Sequence, residues 1–236
     1  IDGFRCDMAM LVPADFWFEA RTALDKLRPL FWLGEFDQWN DEPYAHAFDV
    51  SYSWHWMHIS EEYYKNHRKM IELDKVLSDY RQKQPAHHVH SFFTSNHDEN
   101  SWNKADYATM PGAIHTPFAV FTQTYNRTMP LIYSGQEEPV LRPLAFFEKD
   151  SIEFNRYERA NFYSILLKLR KSNSAFADNA NFKRLKVNLP GQIMAYERSN
   201  GRDKVVVVLN LSNQPKQAII EDIEPGFYVD GFTGQN

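Results

Sequence analysis

Three carboxylates in this sequence stand where chemistry could be done. Asp7 follows Gly3-Phe4-Arg5-Cys6, Glu35 follows Phe31-Trp32-Leu33-Gly34, and Asp98 follows Ser95-Asn96-His97. Each comes just after a short apolar run. Asp7 and Glu35 are 28 residues apart, and Glu35 and Asp98 are 63 apart. A (β/α)8 barrel spends about 31 residues on each βα unit. The three groups therefore fall at one phase of such a repeat, at the C-terminal mouths of strands, with one unit skipped before Asp98. A lone carboxylate reads as a surface charge or a structural ion pair, and the shared phase argues against that for all three. Two close carboxylates suit glycoside hydrolysis, one attacking the anomeric carbon and the other protonating the leaving oxygen. Arg5 lies two residues before Asp7, on the same face of a strand, where a guanidinium favours the ionised carboxylate. An apolar setting would favour the protonated form of Glu35. His97 is placed to hydrogen-bond a sugar hydroxyl.

The elements needed to position these groups are legible in outline. Strands are expected at 1–6, 30–34, 47–51, 89–95 and 129–134. Helices are expected at 13–28, 54–66, 69–84, 114–127 and 155–172. In the first helix Phe16, Ala20, Ala23, Leu24 and Leu27 form an apolar stripe, and in the third Met70, Leu73, Val76, Leu77 and Tyr80 do. Tyr157, Phe162, Tyr163, Leu166 and Leu169 form another stripe read as core. One short strand per helix argues for parallel strands with helical crossovers. The texture changes after about Asn179. Short strands at 183–189, 192–198, 204–211 and 217–220 are separated by Pro190-Gly191, Asn200-Gly201 and Asn213 to Pro215, and Asn200-Gly201 signals a hairpin. The expected domains are residues 1–178, an α/β barrel part, and 179–236, an antiparallel β-sandwich.

Composition agrees. The chain has 236 residues, 43% hydrophobic and 24% charged, which excludes wholesale disorder. Only 9 glycines argue against a glycine-rich phosphate binder, and a net charge of -5 argues against nucleic acid. One cysteine, Cys6, leaves no internal disulfide. Aromatics at 15% suit a neutral, stackable ligand such as a sugar, or simply a large aromatic core. Trp39, Trp54, Trp56 and Trp102 are all candidates to stack on sugar, with core packing favoured for each taken singly, and Trp39 and Trp102 are assigned to substrate binding. His87-His88-x-His90 lacks a carboxylate or cysteine at ligand spacing, so packing is favoured over metal. No apolar run approaches the roughly 18 residues of a membrane span.

At the carboxylates the sequence resembles the α-amylase family, glycoside hydrolase family 13. Gly3-Phe4-Arg5-Cys6-Asp7-Met8-Ala9 resembles its nucleophile strand and Gly34-Glu35 its acid/base strand. Phe93 to Asn100 resembles its Asn-His-Asp segment, and Met129 to Glu137 its eighth strand. The resemblance implies strands four to eight of a (β/α)8 TIM barrel followed by the family's C-terminal β-sandwich. It implies Asp7 as nucleophile, Glu35 as acid/base and Asp98 as transition-state stabiliser, with Arg5 and His97 at the reacting sugar. The implied reaction is retaining cleavage of α-1,4-glucan or maltooligosaccharide. A transglycosylase or isomerase sharing the covalent intermediate is the alternative, as is an inactive family member serving as a binding or transporter-partner protein. The sequence departs from many α-amylases at Met10-Leu11, where they carry Lys-His. No cofactor is expected in this chain, since the resemblance places calcium ligands in a part preceding it. The chain opens inside a strand without a leader-like segment, so a fragment is expected, with a secreted or periplasmic parent favoured. Strands four to eight alone would leave two bare edges. The expected partners are a glucan substrate and either the missing N-terminal half-barrel or another copy of the chain, without which the fragment should be inactive.

Overall fold

A computed structural model describes residues 1–37, 42–65, 68–102, 115–138, 140 and 142–235. It divides into two compact units, Ile1–Phe92 and Phe93–Asn236.

The first unit is a four-stranded parallel sheet with its crossover helices. Strands β1 (Gly3–Cys6), β2 (Phe31–Gly34), β3 (Val50–Tyr52) and β4 (Val89–Ser91) lie in the order β1-β2-β3-β4. Helix α1 (Ala14–Asp25) joins β1 to β2, α2 (Glu42–Ala47) joins β2 to β3, and α3 (Trp54–Tyr64) and α4 (Met70–Lys83) join β3 to β4. The register pairs Cys6 with Gly34, Gly34 with Ser51, and Tyr52 with Ser91. The ends of neighbouring strands are therefore level at one edge. The fourth strand ladders only over Val89–Ser91, shorter than the expected 89–95.

The face of α1 that packs is only partly the expected one. Ala20 and Leu24 meet the cluster of Trp32, Phe36 and Phe48 as expected, but Phe16, Ala23 and Leu27 are exposed and Trp17 joins the packed face. Trp17, Ala20 and Leu24 keep the i, i+3, i+7 spacing of one helical face. The indole of Trp17 decides between the two stripes, because its Nε1 donates to Ala9 O at 2.9 Å while its ring meets Phe48 edge-on. Arg21 then ties the helix to the sheet, donating to Ala47 O at 2.8 Å and to Asp49 at 2.7 Å. In α4 the stripe Met70, Leu73, Val76, Leu77 and Tyr80 is buried as expected.

The second unit carries α5 (His97–Trp102), α6 (His115–Thr124), α7 (Ala160–Ser172) and an antiparallel sheet of β5 (Asn181–Arg184), β6 (Ile193–Asn200) and β7 (Asp203–Asn210). Asn200 pairs with Asp203, so Gly201-Arg202 make the hairpin turn. Gly201 has φ +59°, and glycine at the first of two turn residues suits a type II′ turn. The strand expected at 217–220 is reduced to a bridge between Ile220 and Val187. Buried Arg198 donates to Tyr125 O at 2.7 Å and Ala177 O at 2.9 Å, binding the sheet to the end of α6.

Two further expectations fail here. Residues 129–134 form no strand. Pro130 has no N–H to give a ladder, and the Tyr133 N–H donates to Gln136 Oε1 at 2.7 Å. Residues 155–159 are not helical, and Tyr157, with φ +51°, stands outside α7 and half exposed while Tyr163 and Leu166 are buried. The segment is instead tied to Glu137 and Glu138, whose carbonyls accept from Arg159 N at 2.9 Å and Glu158 N at 3.2 Å, while the Glu138 carboxylate accepts from the N–H groups of Asn155, Arg156 and Tyr157.

Candidate active site

Because Cys6 and Gly34 are paired, the residues after them leave the sheet side by side. Glu35 N donates to Cys6 O at 3.0 Å and Ala9 N to Glu35 O at 3.1 Å. The two carboxylates thus sit at the C-terminal edge of adjacent parallel strands. Gly34 is required there by space. A Cβ on it would lie 2.5 Å from the Phe36 ring and 3.0 Å from Phe48.

Arg5 bridges the pair. Its guanidinium is ion-paired with Asp7, and its other terminal nitrogen lies 3.2 Å from Glu35 Oε2. The carboxylates differ in access, with the Asp7 side chain 75% exposed and that of Glu35 9%. Arg5 also stands over the ring of Tyr52, 5.7 Å from its centroid. Burial works against the Arg5 charge, but Tyr52, Asp7 and Glu35 outweigh it and raise its pKa above the ordinary value. Arg5 is therefore a fixed cation against which Asp7 and Glu35 are held.

Glu35 is not surrounded by apolar groups alone, as its preceding residues suggested. Met8 N donates to Glu35 Oε2 at 2.9 Å, and Arg5 stands on the same oxygen. Met8 presents that N–H from a left-handed conformation, φ 42° and ψ 43°, which a non-glycine residue rarely adopts. Both groups come from β1 and the turn after it, so the apolar residues that precede Glu35 in its own strand gave no sign of them. Tyr52 was missed as a site residue. Its position at the end of a short strand was the available signal, but the strand was read as stopping at Ser51.

Asp37, two residues beyond Glu35, is buried and accepts from the backbone of His55 and from Tyr80 Oη at 2.8 Å. These bonds anchor the loop that leaves β2. Of the histidines at 87–90, His88 and His90 are buried and His87 is exposed. His88 meets Ser51 Oγ at 2.9 Å and Phe48 O at 3.3 Å, and His90 stacks on Tyr80 at 3.8 Å. Among the described residues no group of His, Cys, Asp or Glu could hold a metal ion, and no helix is long and apolar enough to cross a membrane.

His97, Asp98 and Trp102 stand together on α5 in the second unit. Asp98 does not follow a strand directly but lies in the first turn of this helix. Asn96 caps it, its Oδ1 accepting from Asp98 N at 3.0 Å and Glu99 N at 2.8 Å. His97 Nε2 lies 3.4 Å from Asp98 Oδ2. Thr94 Oγ1 accepts from Gln136 at 2.6 Å, which ties the segment before α5 to the turn after residue 133. Trp102 is exposed, and Trp39 lies outside the described residues.

Known proteins are similar to this chain in sequence and fold. α-Amylase MalA of Haloarcula japonica is 26% identical over 229 residues, which cover 91% of this chain and 32% of the relative. The maltogenic α-amylase AmyB of Thermotoga neapolitana superposes with a TM-score of 0.75 at 25% identity, over 89% of this chain and 49% of that one. In sequence and in fold the chain is similar to proteins of the α-amylase family. The maltogenic amylase of S. marinus shares the fold, with a TM-score of 0.77 at 17% identity, over 100% of this chain and 34% of that one. No family model matches the chain. The chain spans about a third of MalA and about half of AmyB. Within that span it comprises a partial (β/α)8 barrel and an antiparallel β-domain.

Proposed function

We propose that the chain supplies the catalytic carboxylates of a retaining glycoside hydrolase acting on α-1,4-linked glucans or maltooligosaccharides. The observation that carries the proposal is the pairing of Asp7 and Glu35 across one guanidinium at the ends of register-matched strands. In this reading the open carboxylate, Asp7, attacks C1 of the sugar. The C1–O bond breaks as sheltered Glu35 gives its proton to the leaving oxygen, leaving a glycosyl ester on Asp7. Water then attacks C1, Glu35 takes its proton back, and the ester bond to Asp7 breaks. Arg5 holds both carboxylates in place through the cycle. Asp98, paired with His97, takes the role of a third carboxylate that stabilises the positive charge growing on the sugar ring.

The similarity to MalA and AmyB supports the glucan substrate, as both are named α-amylases. The reaction as written needs no cofactor from this chain. Residues 179–236, which hold the three-stranded sheet, are assigned to stability rather than chemistry. The test is an NMR time course on maltooligosaccharide with the full-length parent that carries this chain, together with its Asp7→Asn variant. The product should appear first with retained anomeric configuration, and Asp7→Asn should lose turnover by orders of magnitude with its melting temperature kept. First appearance of the inverted anomer, or near-parental turnover in the variant, removes Asp7 from this role.

A further inference from the structure

We infer that Trp102, Phe146 and Phe147 form a stacking platform for a pyranose ring of the glucan flanking the reacting sugar. The inference rests on the proposed role of Asp98 and adds a subsite to it. The three rings touch one another, with centroids 5.0 Å apart for Trp102 and Phe146, 4.8 Å for Phe146 and Phe147, and 6.4 Å for Trp102 and Phe147. They remain open to solvent, at 63% for Trp102, 42% for Phe146 and 83% for Phe147. An exposed aromatic group of this size on a soluble protein marks a contact surface.

Its place in the fold says what the contact is. Asp98 and Trp102 are four residues apart on α5, so they share a helical face with their Cβ atoms about 5–6 Å apart. The platform thus begins one helical turn from the carboxylate assigned to the reacting sugar. The neighbouring rings of an α-glucan are apolar on their C–H faces, which suit aromatic side chains, and hydroxylated at their rims, which suit water.

The platform is also held rigid. Buried Asn100, between Asp98 and Trp102 on α5, accepts from Leu144 N at 3.1 Å and so docks the loop that carries both phenylalanines. Arg142 closes that loop with two parallel bonds to Asp150, at 2.6 and 2.8 Å, and a third to Ser151 O at 2.8 Å. Asp150 in turn accepts from Ala145 N at 2.9 Å. Arg142 and these backbone groups hold the Asp150 carboxyl well below the usual carboxylate range. A loop stapled in this way presents its rings without an ordering cost on binding.

The experiment measures kcat/KM for maltotriose to maltoheptaose in the full-length parental protein that carries this chain and in its variants Phe147→Ala, Phe146→Ala/Phe147→Ala and Phe147→Trp. Phe227→Ala serves as an exposed aromatic control outside the platform. Calorimetric binding of maltohexaose and maltotriose to each variant is measured in a Glu35→Gln background. The double variant should lose about tenfold or more in kcat/KM and in affinity for the longer sugar relative to the shorter, with Phe147→Trp restoring most of it. Equal loss at every chain length overturns the platform, as does a loss equalled by Phe227→Ala. Light scattering completes the test. A parental dimer that the double variant dissolves would make the rings a contact between copies and overturn the inference. If the parental protein cleaves no glucan, the proposed activity fails, and the binding arm still decides the platform.

Discussion

Gly34→Ala tests the link between packing and the site most directly. The added Cβ would meet Phe36 atoms at 2.5 and 2.8 Å and Phe48 at 3.0 Å. The Phe36 ring has no free space to enter, because Tyr44, Phe48 and His88 flank it with centroids 5.8, 5.5 and 5.8 Å away. The strand must therefore move by roughly 1 Å to restore an ordinary contact, and overpacking of this kind costs about 1–3 kcal/mol. For a chain of this size that lowers the melting temperature by about 2–12 °C. Glu35 is the next residue and moves with the strand. A misplacement of about 1 Å at a reacting group costs about 100-fold in turnover. Gly191→Ala is the control, since nothing lies within 4 Å of its Cβ position. Thermal melts and maltooligosaccharide turnover of both variants are the assay. A Gly34→Ala protein that melts and turns over like Gly191→Ala would refute the reasoning.

Burial pushes His88 down to about 4 from the ordinary 6.5, so the unfolded chain binds the proton more readily between those values. Its contribution to stability is full above pH 6.5 and is lost as pH falls toward 4. The loss is about 2 kcal/mol between pH 7 and 5, read by urea titration, and His88→Gln should flatten that slope. An unchanged slope in the variant would exclude His88 as the source. Arg198→Met leaves Tyr125 O and Ala177 O without their donor and should cost about 2–5 kcal/mol in denaturant melts, against little change for Arg202→Met on the exposed turn. Arg5→Met should reduce turnover far more than stability, because the guanidinium is partly exposed and its partners are the two reacting carboxylates. Equal loss in both measurements would make Arg5 a structural ion pair.

Much of the barrel part was legible because its signals are local. The α4 stripe has one unbroken face at helical spacing, and all five of its apolar residues are buried. The α1 stripe misled because Phe16, Trp17 and Phe18 put aromatics on every side, so only the sheet could choose the buried one. The segment 129–134 reads as a strand by composition. It fails as one because Pro130 and the Gln136 side chain take away the bonds that a ladder needs. The site was legible in its carboxylates and in Arg5, and not in Tyr52 or the Met8 N–H.

Sequence by itself determined which carboxylates end which apolar runs, and that Arg5 and Asp7 share a face, because side chains alternate along any strand. It did not determine spacing. Strand ends follow Gly34 by 18 residues at Tyr52 and then by 39 at Ser91, so no fixed repeat holds, and Asp98 lies beyond the strand on α5 rather than directly after it. The tertiary structure alone decided that Arg5 would reach Glu35 and cover Tyr52, and that Met8 would turn its N–H onto Glu35. Those contacts cross from one strand to the next. They depend on a parallel register that pairs Cys6 with Gly34 and Gly34 with Ser51. Register is a property of the assembled sheet, set by which faces must be buried together, and no single strand carries it.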